Sequence, residues 1–546
     1  MNDQKLKTKI LVEMRPAFDG YAGIPQEARL LMSGLNKIES VEIEGLIQTS
    51  HQILAKGTTP RSKLFWRDYP QARLLNRYSR VIVSLSEKPY QTYLDQVLSW
   101  FEKKFIGILT YWKIKCGTEF KLSHFDSQHF QDFTWRTLFA KTLPASEFAA
   151  VASLNYKVCT VPWQIFHNSG LRSLGLKDRP NYPLLNTRGF DIFISQTPYP
   201  GRVHKSTALI VRYHDALPIL MPHTIPDKSF HQATHFYALM SNVKSGGWFA
   251  CVSEATRQEL IKLFPEARER AVTIHNIISS HYFLEDSSSE RVGSIIRRHL
   301  HEGDKNKNID LSLPFFSLKE KERFYNSVTS DPKLNYLLVV STIEPRKNHQ
   351  RLLAAWEILR AEADPSLKLV IVGGLGWDYT PIVRAFQPWL EQGCLFMLSS
   401  VPAASLRVLY RHAAATVCPS LAEGFDFSGV ESMRCGGITI ASDIPVHREV
   451  YDDAAEFFDT YSTQSLVNAL KKVLYQQDAS KRQAELRQRG QEVSARYQPD
   501  KILPKWEAFI QCVKEGSLAG MNFPVQASVT PVDQISNKKE LHNVSA

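Results

Sequence analysis

The stretch Glu423-Gly424-Phe425-Asp426-Phe427-Ser428-Gly429-Val430-Glu431 sets two carboxylates eight residues apart around a glycine-bearing turn. Ahead of it runs a short strand-like segment, residues 414–419. Behind it come Cys435-Gly436-Gly437 and a second strand-like run, 438–441. A strand, a loop with a carboxylate, a helix start with a second carboxylate and another strand make half of a nucleotide-binding βαβ unit. Such a unit offers backbone N–H groups to a diphosphate while its acids accept hydrogen bonds from sugar hydroxyls.

Working outward, apolar runs at 336–340, 368–372 and 395–398 precede this unit, with helical stretches between them. Strands alternating with helices predict a mostly parallel sheet. A second α/β series opens the chain. Ile10-Leu11-Val12 leads through a loop containing Gly20 and Gly23 into a helix that starts at Pro25, the strand–loop–helix turn of a doubly wound domain. Further short strands are read at 190–194, 208–211, 248–252 and 272–274. The expected organisation is two Rossmann-like α/β domains facing across a cleft. The N-terminal domain takes residues 1–282 and carries a helical insertion at about 50–187. A polar segment, 283–332, joins it to a C-terminal nucleotide-binding domain, 333–485. Helices at 486–515 return to the first domain, and a disordered tail, 516–546, follows.

Composition narrows the classes. The 546 residues are 43% hydrophobic and 22% charged, which describes a folded protein with real cores. Sixty-six basic residues against 55 acidic ones leave a formal charge of +11, suited to an anionic ligand or surface. The basic residues are spread along the chain and the strand-end motifs suit the phosphates of a small ligand, so no nucleic acid partner is expected. Seven cysteines, an odd number with no Cys-x-x-Cys pair, argue against a zinc site and a disulfide framework. No signal-peptide core or bilayer-spanning run is read, so a cytoplasmic protein is expected.

The strand at 336–340 runs into Ser341-Thr342-Ile343-Glu344-Pro345-Arg346-Lys347-Asn348-His349. In an open α/β sheet, ligands sit beyond the C-terminal strand ends. An Arg-Lys pair there neutralises a diphosphate whose charge rises as its bond to sugar breaks. The same residues would also make an ordinary basic turn, and the two glutamates a helix cap and a helix surface. Their coincidence at one end of one sheet, cations for phosphates and acids for hydroxyls, favours a nucleotide-sugar site.

These motifs resemble those of retaining glycosyltransferases of family four, which have the GT-B fold. The resemblance rests on the 341–349 run and on Pro419-Ser420-Leu421-Ala422-Glu423-Gly424-Phe425. It extends to Glu431-Ser432-Met433-Arg434-Cys435-Gly436-Gly437 and Ala441-Ser442-Asp443-Ile444-Pro445. In the first domain His214-Asp215, Val252-Ser253-Glu254-Ala255-Thr256 and the loop from Gly20 to Gly23 also fit. The resemblance is dense over residues 336–458 and patchy elsewhere. It implies that Lys347 with Arg346 binds the donor diphosphate, that Glu423 touches the transferred sugar and that Glu431 holds the ribose. His214 would face the reacting carbon, Glu423 sharing the catalytic role, and Gly23 would let backbone approach phosphate or acceptor. Phe425, Asp426, Phe427 and Ser428 complete the implied donor site. The implied activity is transfer of a hexose, mannose being favoured, from a nucleoside diphosphate sugar to a glycan or lipid-linked acceptor with retention. A sugar-phosphate synthase or phosphorylase on the same fold, and an inactive glycan-binding relative, are the alternatives.

Two positions depart from the family pattern. Thr342 stands where many relatives have arginine, and Asp426 where many have glycine. A carboxylate near phosphates is unfavourable unless it turns away or caps a helix. The expected role for Asp426 is the cap, with a backbone N–H two or three residues on as its donor. The chain has no Asp-x-Asp, so no metal or other cofactor is expected. Residues 98–115 mix Trp100, Phe101, Phe105, Ile108 and Trp112 with Lys103, Lys104, Lys113 and Lys115. They read as a helix buried in the insertion, or as an interfacial one making peripheral contact with the inner face of the plasma membrane. Exposure of Trp100 and Trp112 separates the two.

Overall fold

The structure, a computed structural model, describes residues 7–21, 23–59, 71–85, 92–175, 179–304, 309–311, 313 and 315–519. The tail beyond Ala519 lies outside them.

Runs of aliphatic residues buried on both faces form two sheets covered by helices, as parallel strands require. The first sheet takes β1 (Thr8–Glu13), β2 (Val41–Ile47), β3 (Ser123–Asp126), β4 (Asn155–Val158), β5 (Ile192–Ser195), β6 (Ala208–Tyr213), β7 (Trp248–Cys251) and β8 (Ala271–Thr273). Its order is β3-β4-β2-β1-β5-β6-β7-β8, parallel except for β3 at the edge. A small hairpin, β9 (Gly303–Asp304) and β10 (Ile309–Asp310), comes between the sheets in sequence. The second sheet takes β11 (Tyr336–Val340), β12 (Lys368–Val372), β13 (Leu395–Leu398), β14 (Ala415–Cys418), β15 (Thr439–Ser442) and β16 (Ala455–Phe458), ordered β13-β12-β11-β14-β15-β16 and parallel throughout. The two-domain α/β architecture read from the sequence is the one observed.

Three parts of that reading change. The insertion is not purely helical, because β3 and β4 lie within residues 50–187 and extend the first sheet. Phe125 and Tyr156 alternate inward from these strands, a period-two signal only four residues long in each. The described part of the 283–332 segment is folded onto the second domain. Its helix Arg291–Arg298 puts Val292, Ile295 and Ile296 into one core with Tyr336, Leu338 and Phe396. The helix Tyr93–Lys115 is also not the buried helix that was the first reading. Trp100 is 51% and Trp112 57% exposed, and its buried residues are Ser99, Thr110 and Ile114.

The chain crosses between domains after β8 and again before the helix Pro499–Glu515. The Ile278 N–H donates to the Tyr497 carbonyl at 2.9 Å, joining the two crossings. The returning helix puts Ile502, Trp506, Phe509 and Ile510 into the first domain's core. Arg212, fully buried on β6, organises this junction. It donates to Glu27 Oε1 (2.9 Å), Asn276 Oδ1 (2.7 Å) and the Ile274 carbonyl (2.5 Å), and its guanidinium lies 5.3 Å from the Trp506 ring. Burial pushes the Glu27 carboxyl up to about 7 and Arg212 pulls it back.

Removing one partner of a buried pair leaves the other's charge unsatisfied. Arg212→Met is therefore expected to lower the unfolding free energy by about 3–5 kcal/mol, read from urea denaturation; a loss below about 1 kcal/mol would show that Glu27 is satisfied by other groups.

Candidate active site

The site forms where β11 and β14, neighbours in the second sheet, release their chains toward the first domain. After β11 the chain turns through Pro345–Lys347, and Asn348 takes a left-handed conformation (φ 56°) before the helix His349–Glu362. Asn348 donates to the Pro419 carbonyl at 3.1 Å, and the Leu421 N–H donates to the Arg346 carbonyl at 2.9 Å, so the two loops are stitched together. Arg346 then reaches Glu423 Oε2 at 2.9 Å and Glu344 at 2.8 Å, while Lys347 reaches Glu423 Oε1 at 2.5 Å. Burial pushes the Glu423 carboxyl up, but Arg346 and Lys347 outweigh it and hold the acid below its ordinary range. Burial likewise works against the Arg346 charge, and Glu423, Glu344 and Asp215 overcome it.

Asp426 caps the helix Phe427–Arg434. Its Oδ1 accepts from the Ser428 N–H at 3.2 Å and from the Ser428 hydroxyl at 2.7 Å, the expected geometry. Its second oxygen faces His447 Nε2 at 3.2 Å. Burial opposes the charge, but His447, Lys347 and Ser428 together hold the carboxyl far down. Phe425 is a packing residue, buried among Val252, Ile278 and Tyr497 at the domain junction with Phe427 edge-on to it at 5.3 Å. Its role is thus structural in this closed arrangement.

Glu431 is buried and already partnered. Gln26 of the first domain donates to one carboxylate oxygen at 2.9 Å, and the Tyr410 hydroxyl donates to the other at 3.1 Å. Burial pushes Glu431 up to about 7, with Gln26 and Tyr410 opposing.

His214, at the end of β6, bonds to the Gln196 backbone through its ring, and its Nε2 has no hydrogen-bond partner among the described residues. Burial, aided by Arg212, holds the imidazole down at about 3, so it is neutral and Nε2 presents a lone pair. The two domains touch beside it. A Cβ on Gly424 would lie 1.9 Å from the His214 carbonyl oxygen, so only glycine fits this approach. Glu449 of the second domain reinforces the closure by accepting from the Glu254 and Ala255 N–H groups (2.6 and 2.9 Å) and meeting His275 at 2.8 Å. Gly23 precedes the helix Ile24–Leu35 with φ 70°, and a Cβ there would meet nothing within 4 Å. Its left-handed backbone and the open space beside it suit close approach of a ligand.

The structure thus gathers Arg346, Lys347, Glu423, Asp426 and Ser428 around one strand-end cluster, with His214 against its loop and Glu431 one helix face away. Sequence reading missed Gln26, a lone polar residue in a helix with no motif around it. It also missed Glu344 and Asp215, which sat inside quoted motifs. Asp215 is buried beside Arg346 and Glu423, and burial pushes its carboxyl up while Arg346 pulls it down. Glu13 and Arg15 were missed as well. Glu13 accepts from Arg15 (2.8 Å) and from the Gln196 N–H (2.8 Å), fixing the backbone that holds His214.

Residues 320–493 match the family model of glycosyl transferases group 1. The chain is 29% identical over 219 residues to O-antigen chain mannosyltransferase B of Escherichia coli, covering 35% of this chain and 57% of that protein. It is 26% identical over 266 residues to the serotype-specific mannosyltransferase WbdA of Escherichia coli, covering 48% of this chain and 28% of that one. The chain therefore spans a little over half of one relative and about a quarter of the other. Sucrose-phosphate synthase of Thermosynechococcus elongatus shares the fold, with a TM-score of 0.51 at 13% identity over 94% of this chain and all of that one. The architecture is that of GT-B glycosyltransferases.

Two outcomes follow from the geometry. Gly424→Ala must push its loop off His214 by an ångström or more; misplacement of that size costs about 10²-fold in rate, expected in kcat of any turnover the site supports, and an unchanged kcat would show that the contact is dispensable. Glu431 has a folded value above its unfolded one, so its contribution to stability is fully present below about pH 4.5 and is lost as pH rises through about 7. Glu431→Gln removes that loss: between pH 5 and 8.5 the wild type should lose on the order of 2 kcal/mol more than the variant by denaturant unfolding, and parallel profiles would rule the shift out.

Proposed function

We propose that the protein is a glycosyltransferase that moves a hexose, mannose being favoured, from a nucleoside diphosphate sugar to a glycan or lipid-linked acceptor with retention, as a member of family four. The carrying observation is the Glu423 carboxylate held by Arg346 and Lys347 at the strand ends, with the His214 backbone against the same loop and its ring Nε2 without a hydrogen-bond partner among the described residues. The group 1 match over the second domain and the mannosyltransferase names of the two relatives support it.

Arg346 and Lys347 direct their charge to Glu423. An entering diphosphate offers them a stronger anion, and the N-terminus of the helix Ile24–Leu35 adds its dipole beyond Gly23. Glu423 then has lone pairs free for the sugar's hydroxyls, while Glu431 exchanges Gln26 for the ribose hydroxyls. As the bond from the anomeric carbon to phosphate breaks, charge grows on an oxygen that the two cations face. The acceptor oxygen bonds to the same face of that carbon, and its proton passes to the departing phosphate. His214 accepts from a sugar hydroxyl and holds the ring in place. Arg346, Lys347 and the helix end meet the diphosphate's charge without a metal or other cofactor. The proposed location is the cytoplasm; among the described residues no helix is long and apolar enough to cross a membrane.

The test screens UDP- and GDP-hexoses for thermal stabilisation and for nucleoside diphosphate release. One donor should raise the melting temperature by mass action and turn over. Lys347→Ala and Glu423→Ala should each cut that turnover by about 10²–10³-fold. Wild-type protein that neither binds nor turns over any of these donors overturns the reading.

A further inference from the structure

The helix Tyr93–Lys115 stands on the fold through small or single contacts. Ser99, Thr110 and Ile114 are its buried residues, and it packs against the helix Trp163–Arg172. Its N-terminus is self-sufficient: Thr92 and Asp95 cap it reciprocally. On its other side Leu94, Phe101, Phe105, Ile108 and Trp112 recur at steps of seven, four, three and four residues, which aligns them on one face. Each is more than half exposed. A contiguous apolar stripe of this length on a water-facing helix marks an interaction surface.

We propose that this stripe is a membrane-docking face, lying in the headgroup layer of an anionic phospholipid bilayer. The flanking charges fit that occupant. Lys103, Lys104, Lys113 and Lys115 stand against only Asp95 and Glu102 on the helix. The Lys104 ammonium sits 4.1 Å from the Trp100 ring, and that of Lys115 sits 4.9 Å from Tyr111. Aromatic rings at headgroup level with lysines reaching to the phosphates is the arrangement of interfacial helices. A second copy of the chain fits less well, since it would set lysine edges and a formal charge of +11 against their like.

The helix is connected to the cleft wall through its packing partner, the helix Trp163–Arg172. Trp163, at the start of the helix it packs on, lies under the Arg15 guanidinium at 4.2 Å, and Arg15 joins Glu13 and Gln196 behind His214. Docking through this face would bring a lipid-linked acceptor to the first-domain wall of the site, a consequence that rests on the proposed transferase reading.

Flotation with vesicles tests the docking itself. Wild-type protein should bind phosphatidylglycerol-containing vesicles, with binding about tenfold weaker on pure phosphatidylcholine and weakened by salt. Brominated lipid should quench its tryptophan emission. The combined substitutions Phe101→Ser, Phe105→Ser and Trp112→Ser should weaken binding at least about tenfold, while the melting temperature and turnover with a water-soluble acceptor stay unchanged. Failure of the wild type to bind anionic vesicles overturns the proposal, as does a variant that binds equally well. A wild-type dimer that the substitutions dissociate also overturns it, assigning the face to a second copy. Vesicle binding without sugar transfer supports the docking and counts against the transferase reading alone.

Discussion

Arg346 and Lys347 share one carboxylate, and much of the second domain is arranged to let them. Charges taken out of water need partners within reach, and Glu423 is that partner for both cations. It can be so only because β11 and β14 are adjacent parallel strands, which brings two loops 76 residues apart in sequence to the same sheet end. The left-handed turn at Asn348 and its bond to the Pro419 carbonyl set the spacing between the loops. Asp426, a few residues on, would add a further negative charge to this cluster. It is tolerated because it is spent on the Ser428 N–H and on His447. The charges of the cluster are thus paired among themselves.

The first domain contributes by contact. Gly424 lets the Glu423 loop rest on the His214 carbonyl, Gln26 occupies Glu431, and Glu449 supplies a cap to a helix of the other domain. Each of these is a short polar or steric contact rather than a large apolar one. The apolar part of the junction, around Phe425, Ile278 and Tyr497, lies at the chain crossings. The two kinds of contact adjoin each other: His275, which meets Glu449, lies 5.4 Å from the Tyr497 ring and 6.3 Å from the Phe425 ring.

Much of this was legible in the sequence, for definable reasons. Strands β11, β12 and β13 of the second sheet are apolar runs with no polar residue in their interior, and strand-end loops are where an α/β sheet shows its chemistry, so Arg346, Lys347, Glu423 and the Asp426 cap could be placed. The short strands β3 and β4 at one side of the first sheet were not legible, because four residues of alternation inside a long helical stretch carry little signal. Gln26 was invisible for a different reason: its partner is 405 residues away, and nothing local distinguishes it from any polar residue on a helix. The exposure of the Tyr93–Lys115 helix was equally beyond the sequence, since an aromatic-rich helix looks the same whether a core or a bilayer covers it. Only its packing decides, and here it buries just Ser99, Thr110 and Ile114 of its own residues.

The two chain crossings, tied by the bond from Ile278 to Tyr497, have a mechanical meaning. A pair of adjacent, linked strands bends readily about the line through them but resists twisting and sliding, which would pull the pair apart. Any relative turn of the domains takes these two crossings as its hinge. Rotation about it separates Gln26 from Glu431, Gly424 from His214 and Glu449 from the helix it caps in a single sweep. Admission of a ligand and reassembly of the site around it are then one motion, with one coordinate.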